Sequence, residues 1–395
     1  MKDIKSVTEK HIGDVIGWRH WLHAHPELST QEKKSSEFIK MRLEDMGLKV
    51  ATYDGSYGIT AVIEGNGEGK CLGLRADFDA LPINEETGLD FASVNPGVMH
   101  ACGHDMHASI LLGAATVLSE MRKSFKGKIK LIFQASEEVS GPNQGAIKMI
   151  YEGCMENPHV DAVIGEHMWP ELKAGEIGLK KGVLTVASDR FEIKVHGKSA
   201  HGGCYPQKGV DAVVIAAHIV TALQTIKSRN SAPFTETVLS IGQINGGTAY
   251  NIIADEVVLK GTLRNVDEAF RKEVKDRIKA VCDGISESMG GSCDIEYKGS
   301  YDTTRNDPDI IEVIRKGIEA SPSEMKAIDL INPSMIGEDF SKYAALVPSG
   351  LYCFGTRADE NDTATLHQCS YAPSDDLIAK GIETMVSIAI EYLNK

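Results

Sequence analysis

The sequence has no long apolar run, little positive charge and no closely paired cysteines. No stretch approaches eighteen apolar residues without a charge, so we expect no transmembrane helix and no membrane partner. The N-terminal segment is charged throughout and lacks the apolar core of a secretory signal, which predicts a cytoplasmic protein. Lys and Arg number 42 against 56 Asp and Glu, giving a net charge of −14. Such an acidic chain is a poor match for a phosphate backbone, and nucleic acid is not expected as a partner.

The eight cysteines are scattered, and no two have the C-x-x-C spacing of a zinc ribbon or a thioredoxin-type site. In a chain without a signal segment they are expected to be reduced thiols, most of them packing residues. Apolar residues make up 42% and charged residues 25% of the 395 residues. This composition is typical of a globular protein of two or three domains.

The first half of the chain alternates between two kinds of apolar pattern. Short apolar runs at 59–63, 71–74, 129–133 and 162–164 predict buried strands. Apolar residues at helical spacing, up to about Met46 and again over 109–121, predict helices. Strands that alternate with helices indicate an α/β domain built on a mixed, mainly parallel sheet.

A different pattern begins near residue 188. Strand, helix, strand, strand, helix and strand are predicted at 190–195, 210–226, 237–244, 256–263, 267–289 and 292–297. This is the order of a ferredoxin-like α+β unit. The α/β pattern returns from Pro308 onward. We therefore predict a discontinuous larger domain, residues 1–187 and 299–395, with a smaller domain inserted at 188–298.

The segment with the most chemical content is HACGHDMH at 100–107. Thiolate, imidazole and carboxylate are the ligands that a borderline divalent metal takes. A helix beginning near Asp105 would also place Cys102 just before a helix N-terminus, where the dipole favours a thiolate. The alternative is a structural His-rich turn, but the density of ligand-type residues favours a metal site.

Ligand-type residues follow other predicted strands as well. Glu137 and Glu138 come after the run at 129–133, and His167 comes after the run at 162–164. Active sites of α/β sheets lie at the carboxyl ends of their strands. Adjacent carboxylates can divide their roles, one ligating a metal and the other acting as general base. A solvated Glu-Glu pair and a core histidine are the alternatives for each segment taken alone.

Weaker signals lie elsewhere in the sequence. Asp77 follows the run at 71–74 and could orient a ligating imidazole, although an Asp-rich turn explains it equally well. His201 lies in a Gly-rich loop that could polarise a carbonyl, bind a carboxylate or simply turn. The pair Glu338-Asp339 and His367 near the C-terminus are weak signals of a functional site when each is taken alone.

Six motifs in one order carry a resemblance that spans nearly the whole chain. They are RADFDALP, HACGHDMH, SEE, GEHMWP, GKSAHGG and GEDF, flanked by HAHPELS from His23 and LHQ at 366–368. The chain resembles the metal-dependent amidohydrolase and metallopeptidase family of hippurate hydrolase, aminoacylases, indole-acetyl-amino-acid hydrolases and glutamate carboxypeptidases. It is most similar to the hippurate-hydrolase branch. Peptidase branches carry H-x-D in place of Arg75-Ala76-Asp77, and a bridging Asp in place of Cys102.

The resemblance implies a site with two divalent metal ions. Cys102 would bridge them, with the remaining ligands being His104, Glu138, His167 and His367. It also implies roles for residues that are not ligands: Glu137 as general base, His201 polarising the scissile carbonyl across a dimer, and Asn251 and Arg264 holding the substrate's carboxylate. The inserted domain would be a lid and dimerisation domain.

The expected function is hydrolysis of N-acetyl or N-aroyl amino acids to a carboxylic acid and a free amino acid. The expected ions are zinc or manganese, with cobalt and nickel as further candidates. The expected assembly is a homodimer through the inserted domain, or a tetramer. The alternatives are a dipeptidase or carboxypeptidase of the same mechanism, a non-catalytic metal-binding or ligand-binding protein, and a two-lobed solute-binding protein, which would need an export signal.

Overall fold

The computed structural model describes residues 3–395, which form two compact units. The first, called the sheet unit, contains the residues up to Leu184 together with Thr304–Asn332 and Asp339–Lys395. The second, called the inserted unit, contains Thr185–Thr303 and a short later segment, Pro333–Glu338. The chain therefore passes between the units four times.

Strands are numbered along the whole chain. They are β1 Val50–Tyr53, β2 Ser56–Glu64, β3 Cys71–Asp77, β4 Lys128–Gln134, β5 Ala162–Lys173, β6 Glu176–Leu179, β7 Gly182–Thr185, β8 Ala187–His196, β9 Ala200–His201, β10 Thr237–Gly246, β11 Ile252–Ile253, β12 Glu256–Asn265, β13 Ser292–Tyr301, β14 Thr304–Asn306, β15 Lys326–Asp329 and β16 Ser349–Arg357.

Helices are numbered in the same way. They are α1 Ile4–Ala24, α2 Lys33–Asp45, α3 His104–Glu120, α4 Gly145–Tyr151, α5 Ala212–Thr225, α6 Glu268–Ser288, α7 Pro308–Ala320, α8 Ser341–Ala344 and α9 Asp376–Leu393. Several begin as their sequence dictates. Asp307 caps α7 by accepting the N–H groups of Asp309 and Ile310, and Pro308 fills the first helical position, where no N–H is needed.

The sheet unit is built on one eight-stranded sheet of order β1-β2-β4-β3-β5-β16-β6-β15. Its centre is parallel, because β3 pairs in parallel with both β4 and β5, and β5 pairs in parallel with β16. Helices α1, α3, α7 and α9 share one apolar cluster with these strands. Nearly all of α3 is buried, and after its first two turns the buried residues are apolar or small on every side of the helix rather than on one stripe.

The α/β class predicted from the periodicity is confirmed, with two differences in detail. The single helical stretch expected up to Met46 is two helices, α1 and α2. The run at 162–164 is only the start of β5, which continues to Lys173. His167 therefore lies inside a strand, opposite Cys353 of β16, and not beyond a strand end. The apolar run ends before Glu166 and His167, so the apolar pattern did not predict that these two buried residues continue the strand.

The inserted unit contains a four-stranded antiparallel sheet of order β10-β12-β8-β13. Helices α5 and α6 share an apolar cluster with that sheet, and the main elements follow the predicted ferredoxin-like order. Strand β10 is at the edge of the sheet, and most of its residues are exposed.

Across residues 3–395, no helix combines the length and the apolar character needed to cross a membrane.

Candidate metal centre and active site

Three chain segments bring ligand-type side chains to one edge of the large sheet. Parallel strands β4, β3 and β5 are neighbours, and β3 ends at Asp77 while β4 ends at Gln134. Glu137 and Glu138 follow β4, and α3 begins at His104. Neighbouring parallel strands that end at one edge place these residues where α/β proteins form their sites.

All five predicted metal ligands belong to overlapping groups whose donor atoms lie within 4.8 Å of one another. The groups are Cys102, His104 and His167; Cys102, Glu138 and His367; and His104, Glu137 and Glu138. The Cys102 Sγ is 3.7 Å from the His167 Nε2, and the Glu138 Oε1 is 3.2 Å from the His367 Nε2. Cys102, His104 and Glu138 each stand in two of these groups, so the donor atoms form one connected cluster.

Two of the imidazoles are oriented through their Nδ1 atoms. The Nδ1 of His104 lies 2.9 Å from the backbone oxygen of Asp79 and 3.2 Å from its Oδ1. The Nδ1 of His167 lies 2.8 Å from the backbone oxygen of Met168. The His104 Nε2 is buried and has no hydrogen-bond partner. A carbonyl or carboxylate on Nδ1 fixes the tautomer in which Nε2 is free to bind a metal.

Asp77 lies beside two histidines, His107 and the proposed ligand His104. Its Oδ1 accepts a hydrogen bond from the His107 Nδ1 at 2.6 Å, while its Oδ2 is 3.8 Å from the His104 Nε2. The His107 Nε2 in turn accepts the Met168 N–H at 2.9 Å. Both ring nitrogens of His107 are thus used, and the residue that holds the Nδ1 of His104 is Asp79.

Burial and nearby carboxylates together shift the pKa values of the cluster. Burial and the nearby charges of Glu138 and Glu137 raise the pKa of the Cys102 thiol well above its ordinary value. Without a bound cation, burial and these charges therefore favour the protonated thiol over the thiolate expected before a helix N-terminus. Burial opposes the charge on His104, but Asp77, Asp79 and Glu138 raise its pKa to about 10. A group of carboxylates around an unpartnered imidazole nitrogen is an environment that favours a bound cation.

Backbone conformations that ordinary residues seldom adopt occur beside these ligands. Gly103, at φ +84°, turns the chain between Cys102 and His104, and a side chain there would approach Met168 to 3.0 Å. Ser136, just before the Glu pair, has φ +60°, and His367 has φ +63°. Residues other than glycine that adopt a positive φ cluster at functional sites.

Glu137, the expected general base, is buried, and its Oε1 accepts the backbone N–H of Asp339 at 3.3 Å. Sequence reasoning left Asp339 without a role and did not single out Asp79. The only signal for either was its place in a recognised motif, GEDF or RADFDALP.

The three remaining predicted residues lie in the inserted unit. His201 is exposed, and its Nδ1 accepts the N–H groups of Gly203 and Cys204 at 3.2 and 3.0 Å. Asn251 is next to it, because its backbone oxygen accepts the Gly202 N–H at 2.8 Å. Arg264 lies on β12, partly buried, and its Nη1 has no hydrogen-bond partner. The roles given to these three residues stay predictions.

Comparison with known proteins identifies the family of this chain. Residues 73–391 match peptidase family M20/M25/M40, a stretch that contains every metal-ligand candidate. The chain belongs to that family. The resemblance inferred from the motifs is thereby confirmed, as is the prediction of a hydrolase.

Three relatives show the range of named activities among proteins similar to this chain. An N-acetyl-L-cysteine deacetylase of Bacillus subtilis (strain 168) is 41% identical over 356 residues, covering 90% of this chain and 83% of the relative. An N-acyl-L-amino acid amidohydrolase of Geobacillus stearothermophilus is 41% identical over 300 residues, covering 76% and 80%. Thermostable carboxypeptidase 1 of Saccharolobus solfataricus is 33% identical over 400 residues, covering 100% of each chain.

A solved M20 structure is similar along its whole length. It is a Bacillus subtilis protein described as a dinuclear metal binding peptidase, with a TM-score of 0.84 and 29% identity. The match covers 98% of this chain and 99% of that one. The fold of the chain is therefore that of an M20 enzyme.

Proposed function

We propose that this chain hydrolyses the amide bond of N-acyl amino acids, releasing a carboxylic acid and a free amino acid. The observation that carries the proposal is the overlap of donor groups around Cys102, His104 and Glu138, with Glu137 beside them. Relatives named as a deacetylase and an amidohydrolase support the choice of substrate class.

The donor set fits two divalent metal ions. Cys102, His104, Glu138, His167 and His367 would hold them, and the unpartnered His104 Nε2 is the atom that most clearly needs a cation. Bound divalent ions at such a site lower the pKa of water and polarise a carbonyl. Thiolate with imidazole suits zinc, and carboxylate with imidazole also accepts manganese, cobalt or nickel.

The protein's own contribution to the chemistry centres on Glu137. Its carboxylate accepts a proton from the water that attacks the amide carbon. It then returns that proton to the amine nitrogen as the carbon–nitrogen bond breaks. Burial keeps the side chain in one environment, and the N–H of Asp339 holds one of its oxygens. Both features suit a general base that must stay within hydrogen-bond reach of the water.

His201 would stabilise the oxyanion that forms on the substrate. Its Nδ1 accepts two backbone N–H groups, so the proton of a neutral ring is on Nε2, which is then the donor. The family resemblance further suggests that this histidine serves the site of a partner subunit, and that Asn251 and Arg264 bind the substrate's carboxylate.

A homodimer, or a tetramer, through the inserted unit is part of the proposal. Val213 and Val214 on α5 and Ile244 on β10 are exposed at 47%, 46% and 54%. Exposed apolar side chains beside an open edge strand are typical of a surface that pairs with another chain. We also propose a cytoplasmic location, where the eight free cysteines would stay reduced.

A dipeptidase or carboxypeptidase activity is the second candidate, favoured by the full-length similarity to a carboxypeptidase. The two are separated by stripping the protein with a chelator, restoring Zn²⁺, Mn²⁺ or Co²⁺, and measuring amino acid release. The substrates are N-acetyl and N-benzoyl amino acids beside dipeptides. We expect metal-restored release, fastest from an N-acyl amino acid. Faster cleavage of dipeptides selects the second candidate. Two bound metals without cleavage of any amide indicate a binding protein.

A further inference from the structure

Behind Glu137 lies a buried polar group that the proposed mechanism does not use. Its centre is Asp339, with Arg75, Gln134 and Asp77 around it, and none of these side chains is exposed to solvent. Completely buried charges are rare unless they are paired and hydrogen-bonded. A structural or functional role is therefore expected for this buried group.

The Asp339 carboxylate is held from three sides. The Arg75 Nη2 donates to its Oδ1 at 3.0 Å. The Gln134 Nε2 lies 2.8 and 2.9 Å from its two oxygens. The Ala146 N–H donates to its Oδ2 at 3.1 Å. Hydrogen bonds to an ionised acceptor are among the strongest in proteins, so this side chain has one fixed position.

The holding groups are themselves fixed. The Arg75 Nε donates to the Gln134 Oε1 at 3.0 Å, and the Arg75 Nη1 is 2.7 Å from the Asp77 Oδ2. Arg75 and Asp77 lie on β3 and Gln134 ends β4, so the anchor of Asp339 belongs to the centre of the large sheet. A group built on strands is more precisely placed than one built on loops.

The backbone of Asp339 needs such an anchor. Asp339 is the residue at which the chain returns from the segment Pro333–Glu338 to the sheet unit, and its N–H donates to the Glu137 Oε1. A connecting segment would hold that N–H loosely if the side chain did not fix it.

We propose that Asp339 is a positioning residue: its carboxylate, held by Arg75, Gln134 and the Ala146 N–H, fixes its own backbone N–H against Glu137 and thereby aims the general base. The inference rests on the proposed function, because Glu137 has a direction to keep only if it moves protons. It gives the GEDF and RADFDALP motifs a shared purpose, since each supplies one half of the Asp339–Arg75 pair.

The first test variant is Asp339→Asn. Its amide places an N–H donor against the Gln134 or Ala146 donor, so the backbone of residue 339 shifts. A displacement of about 1 Å at a catalytic group costs up to about a hundredfold, and we expect kcat to fall by about ten- to a hundredfold. Metal content should stay at the wild-type value, and KM should change by less than about threefold, because no metal ligand or substrate contact is altered.

The matched variant is Gln134→Glu combined with Asp339→Asn. It moves the negative charge from residue 339 to residue 134 and exchanges donor and acceptor between the two side chains. The new Asn oxygen keeps the Ala146 N–H, its amide nitrogen donates to the new carboxylate at 134, and the Arg75 guanidinium turns from residue 339 to that carboxylate. We expect kcat to rise at least about threefold above that of Asp339→Asn, because two of the three contacts that hold residue 339 are restored.

A change of leaving group separates positioning of Glu137 from general damage. The amide substrate is compared with its thioester analogue, whose thiolate departs without a proton, whereas the amine must receive one. The loss in Asp339→Asn should be larger for the amide, because that substrate needs Glu137 both for the attacking water and for the returned proton, whereas the thioester needs it for the water alone. A loss that is larger on the thioester than on the amide overturns the proposal.

The remaining outcomes are decisive as well. Folded, metal-loaded Asp339→Asn with wild-type kcat overturns the inference. If Asp339→Asn does not fold, the double variant decides: a folded, metal-loaded protein as slow as Glu137→Gln also overturns it. If the wild-type protein cleaves none of the N-acyl amino acids or dipeptides, the proposed function itself fails. Because this result comes from the wild type, it is distinguishable from a failure of the positioning role.

Discussion

At the scale of single residues, the candidate centre depends on side chains that hold other side chains. Asp79 illustrates this most clearly. Besides the Nδ1 of His104, it contacts the Glu138 N–H at 2.9 Å and the Ser29 hydroxyl at 2.6 Å through its Oδ2. One carboxylate thus orients two proposed ligands, a histidine and a glutamate.

Replacing Asp79 by Asn should weaken metal binding without removing a ligand. An amide at this position cannot accept all three contacts, and loss of a group that orients a ligand costs about 10- to 100-fold in affinity. Titration of chelator-stripped protein with zinc measures the effect. Asp307→Asn is the contrast, with no change expected because that carboxylate caps α7. Wild-type affinity in Asp79→Asn would contradict this assignment.

His23 gives a prediction about pH. Burial alone would lower the pKa of His23, but Asp105 and Glu85, at 2.9 and 3.1 Å, raise it to about 9. A histidine whose folded-state pKa exceeds the unfolded value stabilises the fold below about pH 6.5, and that contribution is lost as the pH rises through about 9. The full contribution is on the order of 3 kcal/mol.

The apparent melting temperature should therefore fall between pH 7 and pH 9, and His23→Gln should flatten that slope. His196→Gln is the control, because His196 is a partly exposed histidine that meets Asp294 on the inserted unit. A slope that persists unchanged in His23→Gln would show that another group is responsible.

At the scale of elements, the turn after β4 contains the proposed general base Glu137 and the proposed ligand Glu138, and its backbone is strained at Ser136. Ser136, at φ +60°, accepts the Thr30 N–H at 2.9 Å and donates to the Glu32 Oε1 at 2.8 Å. Burial and the charge of Asp79 raise the pKa of Glu32 to about 7. These contacts keep the backbone in a conformation that directs Glu137 and Glu138 towards the same cluster.

Two variants of Ser136 separate the strain from the contacts. Ser136→Ala loses both hydrogen bonds and keeps the left-handed backbone, whereas Ser136→Gly loses the same bonds but adopts that backbone readily. We expect the glycine variant to be more stable than the alanine variant by about 1 kcal/mol. Both should turn over more slowly than wild type. Denaturant unfolding beside kcat measures this, and equal stability of the two variants would argue against strain at Ser136.

Particular residues show how far sequence reasoning extends. The cluster of ligands was predictable because His, Cys and Glu are rare together and lie in recognised motifs. The length of β5 was not predictable, because buried strands seldom contain charged residues. Glu166 is accommodated there because the Tyr352 hydroxyl donates to its carboxylate at 2.9 Å. Asp79 and Asp339 were missed because their importance comes from what they contact across the fold, from 25 residues away in the case of Asp79 and His104.

At the scale of the whole molecule, the sheet unit contains the proposed metal donors, and the inserted unit has exposed apolar side chains on α5 and on the edge strand β10. The α5 face is unusually apolar for an exposed helix, with Val213 and Val214 in its first turn. Large exposed apolar patches are uncommon on monomers.

Changing Val213 and Val214 together to Lys should convert the proposed dimer or tetramer to a monomer, because like charges would face each other across the interface. Light scattering measures the mass, and circular dichroism checks the fold. If His201 acts in the partner's site, mixed His201→Ala and Glu137→Gln subunits should regain part of the activity. The lysine variant should block that recovery. Demonstrated subunit exchange without recovery would contradict the role in trans.

The central claim is that adjacent carboxylates have separate tasks, Glu138 holding metal and Glu137 moving protons. The most direct measurement compares Glu137→Gln and Glu138→Gln, recording metal content and turnover of an N-acyl amino acid in each. We predict that Glu137→Gln keeps both metal ions and loses about two to four decades of kcat, the usual contribution of a general base. Glu138→Gln should lose metal and activity together. Metal-replete Glu137→Gln with wild-type turnover would contradict the account.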